Sequence, residues 1–193
     1  MARKKKKEQP TRQTIAYQGN VKIQSIKGNK VYKEYTQHNA GTADLFRYIA
    51  NCIIGNYNQS VMPRYVRLFD CKDPDQQLIS EVTMPKLWSN PVSAINVPFS
   101  TVQVKADASS SLTIERPYVA EFTFMIPYTQ IQDDFNVVCL YNVMDAGANV
   151  TPLAYIILRD NENRPIYYEV DDNNTSNIVI TWEMKVCNQE VEL

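Results

Sequence analysis

The chain has 193 residues, 44% of them apolar and 21% charged, with twenty basic and twenty-one acidic side chains. That composition supports a packed core and excludes global disorder, and the length suits one domain. No run of about 18 apolar residues occurs, which excludes a transmembrane helix, and the basic N-terminus lacks the apolar segment of a secretory signal.

The near-zero net charge hides an asymmetry. Arg3, Lys4, Lys5, Lys6 and Lys7 form an uninterrupted basic run. Without them, fifteen basic residues face twenty-one acidic ones. Residues 1–14 therefore read as a basic, flexible arm, self-repelling and solvated. Its expected use is contact with an acidic neighbouring subunit or with nucleic acid. Sequence-specific DNA reading is disfavoured, because the body carries no second basic stripe. Residues 15–193 read as a single β-sandwich domain.

In that domain, Val21, Ile23 and Ser25 alternate with Lys22 and Gln24, the beat of a half-buried strand. Gly28-Asn29 follows, a two-residue loop suited to a type II′ hairpin because glycine tolerates positive φ at the first central position. Lys30 to Thr36 is the return strand. One helix is expected, over about 43–54. Thr42 offers a hydroxyl as N-cap, Asp44 sits in the first turn, and Gly55 stands where a C′ glycine belongs. Leu45, Phe46, Ile49, Ile53 and Ile54 form its expected apolar face. At about a dozen residues it is marginal alone and must cover one end or one face of a sheet.

The remainder reads as β. Arg64–Phe69 is a short strand. Asp70–Pro91 is irregular and long enough to be an interface element. Val92–Val104 alternates loosely, with Pro98 marking an edge or break. In Tyr118–Ile126, Phe122, Phe124 and Ile126 share one face. Val137–Met144 and Leu153–Leu158 are apolar runs fit for central strands, and Arg164–Val170 is a further strand. At the end Ile178, Ile180, Trp182, Met184 and Val186 alternate strictly with polar residues. Many short strands with one short helix near the N-terminus predict a mainly β, antiparallel, jelly-roll-like β-sandwich. Its core is expected to hold Leu45, Phe46, Ile49, Ile53, Phe122, Phe124, Ile178, Ile180, Trp182 and Met184.

Catalytic signals are weak. His38, the one histidine, lies just before the helix cap and reads as a loop or capping residue rather than a general base. Cys52, Cys71, Cys139 and Cys187 are widely spaced, have no metal-ligand pattern, and read as small buried hydrophobes. The doublets Asp133-Asp134 and Asp171-Asp172 point apart, unlike a glycosidase pair. Asp171-Asp172-Asn173-Asn174 reads as a solvated turn, not a calcium loop. Five scattered glycines make neither a P-loop nor a dinucleotide fingerprint. No catalytic residue, cofactor or metal is expected. Twelve tyrosines suit sheet faces and interfaces, where the hydroxyl finds a partner.

The stretch Gly28-Asn29-Lys30-Val31 through His38-Asn39-Ala40-Gly41-Thr42, then Leu45-Phe46 and Gly55, resembles the N-terminal part of small structural virion proteins of tailed bacteriophages, podovirus-like or crAss-like. The closing Ile178-Val179-Ile180-Thr181-Trp182-Glu183-Met184 is similar to the last strand of many phage fibre and tail-accessory proteins. The resemblance covers about the first 55 and last 20 residues. It implies a non-enzymatic fibre-attachment, tail-accessory or head–tail adaptor subunit, made in the host cytoplasm without secretion and resident in the virion. Its partners would be other virion proteins and copies of itself, with no membrane. A capsid decoration or head-fibre protein is the alternative, as is a carbohydrate-binding receptor-contact module using exposed tyrosines or Trp88.

Overall fold

A computed structural model describes residues 11–55, 63–75, 97–98, 101–106, 118–131, 133–142, 152–170 and 175–192. The strands are β1 (Thr11–Lys27), β2 (Lys30–His38), β3 (Ala40–Gly41), β4 (Tyr65–Phe69), β5 (Val97–Pro98), β6 (Thr101–Ala106), β7 (Tyr118–Ile126), β8 (Val137–Tyr141), β9 (Ala154–Ile157) and β10 (Asn177–Glu192). They make two five-stranded antiparallel sheets, ordered β2-β1-β10-β7-β6 and β3-β9-β8-β4-β5. The pairs β1–β10, β3–β9 and β4–β8 nest inside one another, first with last, as in a jelly roll. The second and third nested pairs stay in one sheet instead of alternating between the two.

The sheets share one core. From the first sheet, Val21, Trp182 and Phe122 stand in register, and next to them Ile23, Ile180 and Phe124. From the second, Leu68, Val138 and Ile156 form a facing row, with Val66, Leu140 and Ala154 beside it. Burying such period-2 rows against one another is what makes a sandwich stable. Val137–Tyr141 is buried at all five positions because the second sheet is apolar on both faces. Its outer side carries a separate cluster of Phe69, Cys71, Val137, Cys139, Tyr141 and Ile157. A strand buried on both faces needs no polar alternation.

Gly28 takes φ +60° and starts the turn between β1 and β2. A bulge at Ser25/Ile26 follows, leaving Tyr32 as an extra residue on β2. At Asn39 the chain leaves the first sheet, its N–H still bonded to the Gly19 carbonyl at 3.0 Å, and joins the second sheet one residue later as β3. The helix α1 (Ala43–Ile53) follows and ends at Gly55, which takes φ +74°. Its start is tied to the residue just before β9: the Thr42 N–H donates to the Leu153 carbonyl at 3.0 Å.

Five expectations need correction. The Thr42 hydroxyl does not cap the helix. It is fully buried and donates instead to the Pro152 carbonyl at 2.7 Å. Phe46 is not in the core but 49% exposed, because it lies 100° around the helix from Leu45, which takes the inward position. Cys52 is exposed although, seven residues past Leu45, it shares that residue's side of the helix: it lies in the last turn, beside the Gly55 end. The arm does not extend to residue 14, since β1 begins at Thr11 and its backbone pairs with β10 without needing an apolar pattern. Arg164–Val170 is not a strand. Only isolated bridges form there, Arg159 with Pro165 and Phe135 with Tyr168, and Pro165 has no N–H to donate to a ladder.

Trp182 is fully buried at the middle of β10. Trp182→Ala is expected to cost about 3–5 kcal/mol in denaturant unfolding. Thr42→Val should cost about 1–3 kcal/mol by leaving the buried Pro152 carbonyl unpaired, and Thr42→Ser should restore most of it.

Candidate functional site

Backbone and charge are left available at a few places in this architecture. The most extended such element is formed by β1 and β10. Strand β2 pairs with β1 only from Asn20 to Lys27, and β7 pairs with β10 only from Ile178 to Lys185. The β1–β10 ladder nevertheless continues to Thr11 opposite Glu192. Seven or so residues of each strand thus form a two-stranded ribbon that outruns its neighbours by about 25 Å, at ~3.4 Å per residue. Among the described residues no third strand lies along it. Two strands alone are marginally stable in water, so such a ribbon gains from a partner.

A second feature is an open cleft of about 280 Å³ lined by Asp70, Asp133, Asp134 and Tyr167. The loop after β4 supplies Asp70, the segment before β8 supplies the Asp pair, and the Phe135–Tyr168 bridge brings Tyr167 alongside. The Tyr167 hydroxyl donates to Asp70 Oδ1 at 2.8 Å. Partial burial, then that carboxylate, push the phenol up to about 12, so it stays protonated at neutral pH. The carboxylates have local structural work. Asp134 Oδ1 accepts the Val170 N–H at 2.6 Å, and Asp133 Oδ1 accepts the Asp134 N–H at 2.9 Å. Among the described residues no group of three or more His, Cys, Asp or Glu side chains is placed to hold a metal ion.

A third cluster closes one edge of the sandwich. Tyr35 and Gln37 point inward from β2 and bond to the chain leaving β9. The Arg159 N–H donates to the Tyr35 hydroxyl at 2.8 Å, and Gln37 Nε2 donates to the Ile157 carbonyl at 2.8 Å. Burial raises the Tyr35 pKa, against the bond from Arg159. Arg159 itself ion-pairs with Asp75 and donates to the Asn163 carbonyl at 2.9 Å. Lys33 lies 4.4 Å above the Tyr168 ring, whose hydroxyl bonds to Ser25 Oγ at 2.8 Å. These contacts stitch the two sheets together across a polar seam.

The expected site residues are scattered. Arg3, Lys4, Lys5, Lys6 and Lys7 lie outside the described residues, as do Trp88, the Asp171–Asn174 stretch and the loop beyond Asp75. Leu45, Phe122, Phe124, Ile178, Ile180, Trp182 and Met184 are buried, and Ile49 packs half-buried against them. The side chain of Ile53 lies outside the described set. His38 is the exposed last residue of β2. Cys71 and Cys139 are buried, and burial raises both thiols, the opposite of what a nucleophile needs. Tyr141 and Tyr168 are buried, whereas Tyr32, Tyr128 and Tyr167 are exposed. Sequence reading missed the ribbon, the seam and the Tyr167–Asp70 pair. For the ribbon a signal existed in Thr14, Ile15 and Tyr17, residues of high β-propensity in a polar stretch.

No family model, curated protein or solved structure matches the chain.

Asp70→Asn should lower the Tyr167 pKa from about 12 toward 10, read by ultraviolet difference titration. The sign follows from the raised folded-state value. The Tyr167 contribution to stability is complete below pH ~10 and is lost as pH rises through about 12.

Proposed function

We propose that the protein is a non-enzymatic structural subunit that works by association, and, following its resemblance to small virion proteins of tailed phages, that it is a fibre-attachment, tail-accessory or head–tail adaptor component. The observation that carries this reading is the β1–β10 ribbon, which extends strand edges beyond the sandwich that anchors it. The ribbon suits strand addition to a neighbour, where main-chain bonds give affinity. The outward side of α1 adds apolar surface at Phe46 and Ile54, 49% and 74% exposed. The mechanism is assembly: the sandwich supplies rigidity, the ribbon and the basic run supply reach, and no bond is made or broken.

The test is a truncation. Removing residues 1–10 leaves β1 intact from Thr11. The shortened chain should keep the denaturation midpoint of the full chain but fail to enter phage particles when it is the sole copy. Normal incorporation would remove the basic run from the mechanism. Immunogold labelling of particles carrying the full chain should mark tail or connector. Labelling spread over the capsid would favour the decoration reading, and no labelling would end the virion reading.

A further inference from the structure

We infer that β1 pairs with β1 of a second copy, antiparallel about a two-fold axis at Thr14, to give one continuous ten-stranded sheet across the dimer. The backbone dictates the register. Gly19 directs its carbonyl to Asn39 on the β2 side. Alternation along an unbroken ladder then directs the N–H and C=O of Tyr17, Ile15, Gln13 and Thr11 to the same side, past the point where β2 has ended. Pairing Thr11 with Tyr17 and Gln13 with Ile15 of the other copy engages all four residues on each strand. It leaves the Gly19–Asn39 bond untouched. No shift by two residues does both.

Charge favours a second copy as the occupant. In this register Arg12 stands opposite Ala16 and the two Thr14 positions face each other, so no like charges meet. The antiparallel direction points the Thr11 end of each strand toward the body of the other copy, and the sequence before Thr11 carries the basic run Arg3 to Lys7. That body has fifteen basic against twenty-one acidic residues once its own run is set aside. Strand β2, by contrast, is an edge strand bearing Lys30, Lys33 and Glu34 and a bulge, devices that discourage pairing. Thr11–Gln18 holds one charge and no bulge.

The inference is independent of which particle the protein serves, and its test needs no phage. The full chain at tens of micromolar should sediment as a dimer. With Cys52 and Cys187 both replaced by Ser, so that the buried Cys71 and Cys139 are the native thiols left, Thr14→Cys should cross-link the dimer under mild oxidant. A directly opposed non-hydrogen-bonded pair has its Cα atoms about 4.5 Å apart, within disulfide range. Ile15→Cys, which faces Gln13 rather than itself, should not cross-link. Ile15→Pro removes an outward donor but none of the β1–β10 bonds and should weaken dimerisation at least tenfold. A monomeric full chain would overturn the inference, as would a dimer that cross-links at 15 but not at 14. If Ile15→Pro fails to fold, the two cysteine variants still decide.

Discussion

The fold rests on one long pairing, β1 against β10, running from Thr11 opposite Glu192 to Ile26 opposite Asn177. Strand β2 reaches the first sheet only through β1, and β7 and β6 reach it only through β10. If that ladder were broken, the sheet would fall into a two-stranded hairpin and a three-stranded remnant. The second sheet would then lose the rows of Val21, Ile23, Ile180 and Trp182 that cover its inner face. Hydrophobic burial supplies most of the driving force, yet it depends on a main-chain register that fixes which side chains face inward. A slip of one residue would turn Trp182 to the solvent.

Much of this arrangement was legible from residue order. Strict alternation identified the inward face of β10 and β7, and the apolar run over β8 marked a central strand, which the structure buries at every position. Gly28 and Gly55 marked a turn and a helix end, since both positions need positive φ. Periodicity ran out where two apolar candidates competed for one direction. Leu45 and Phe46 are adjacent, and only tertiary packing decided that Leu45 faces the core. It also failed where main-chain bonding alone extends a strand. Nothing in Thr11–Gln18 alternates cleanly, because a ribbon beyond the sandwich has no core to face. Likewise Thr42 reads locally as a cap, while the structure spends its hydroxyl on a carbonyl 110 residues away.

Among the described residues, many polar side chains bond across the fold. Tyr35, Gln37, Ser25 and Tyr168 hold the sheets at one edge, and Arg159 joins that edge to Asp75. The Asp70–Tyr167 cleft gathers three carboxylates, two of which accept backbone N–H groups. The abundance of tyrosine thus has two explanations side by side. Some rings fill a sheet face or latch it, and others are exposed to solvent.

The nesting of first strand with last has a consequence for synthesis on the ribosome. β1 and β2 are made early, but the partner for the other edge of β1 begins at Asn177, some 150 residues later. At translation rates of 5–20 residues per second, the nascent hairpin waits roughly 8 to 30 s with Val21 and Ile23 uncovered. Chains crowded on one messenger would meet in that interval, so the same open strand that closes the finished sheet is also the one most in need of a chaperone.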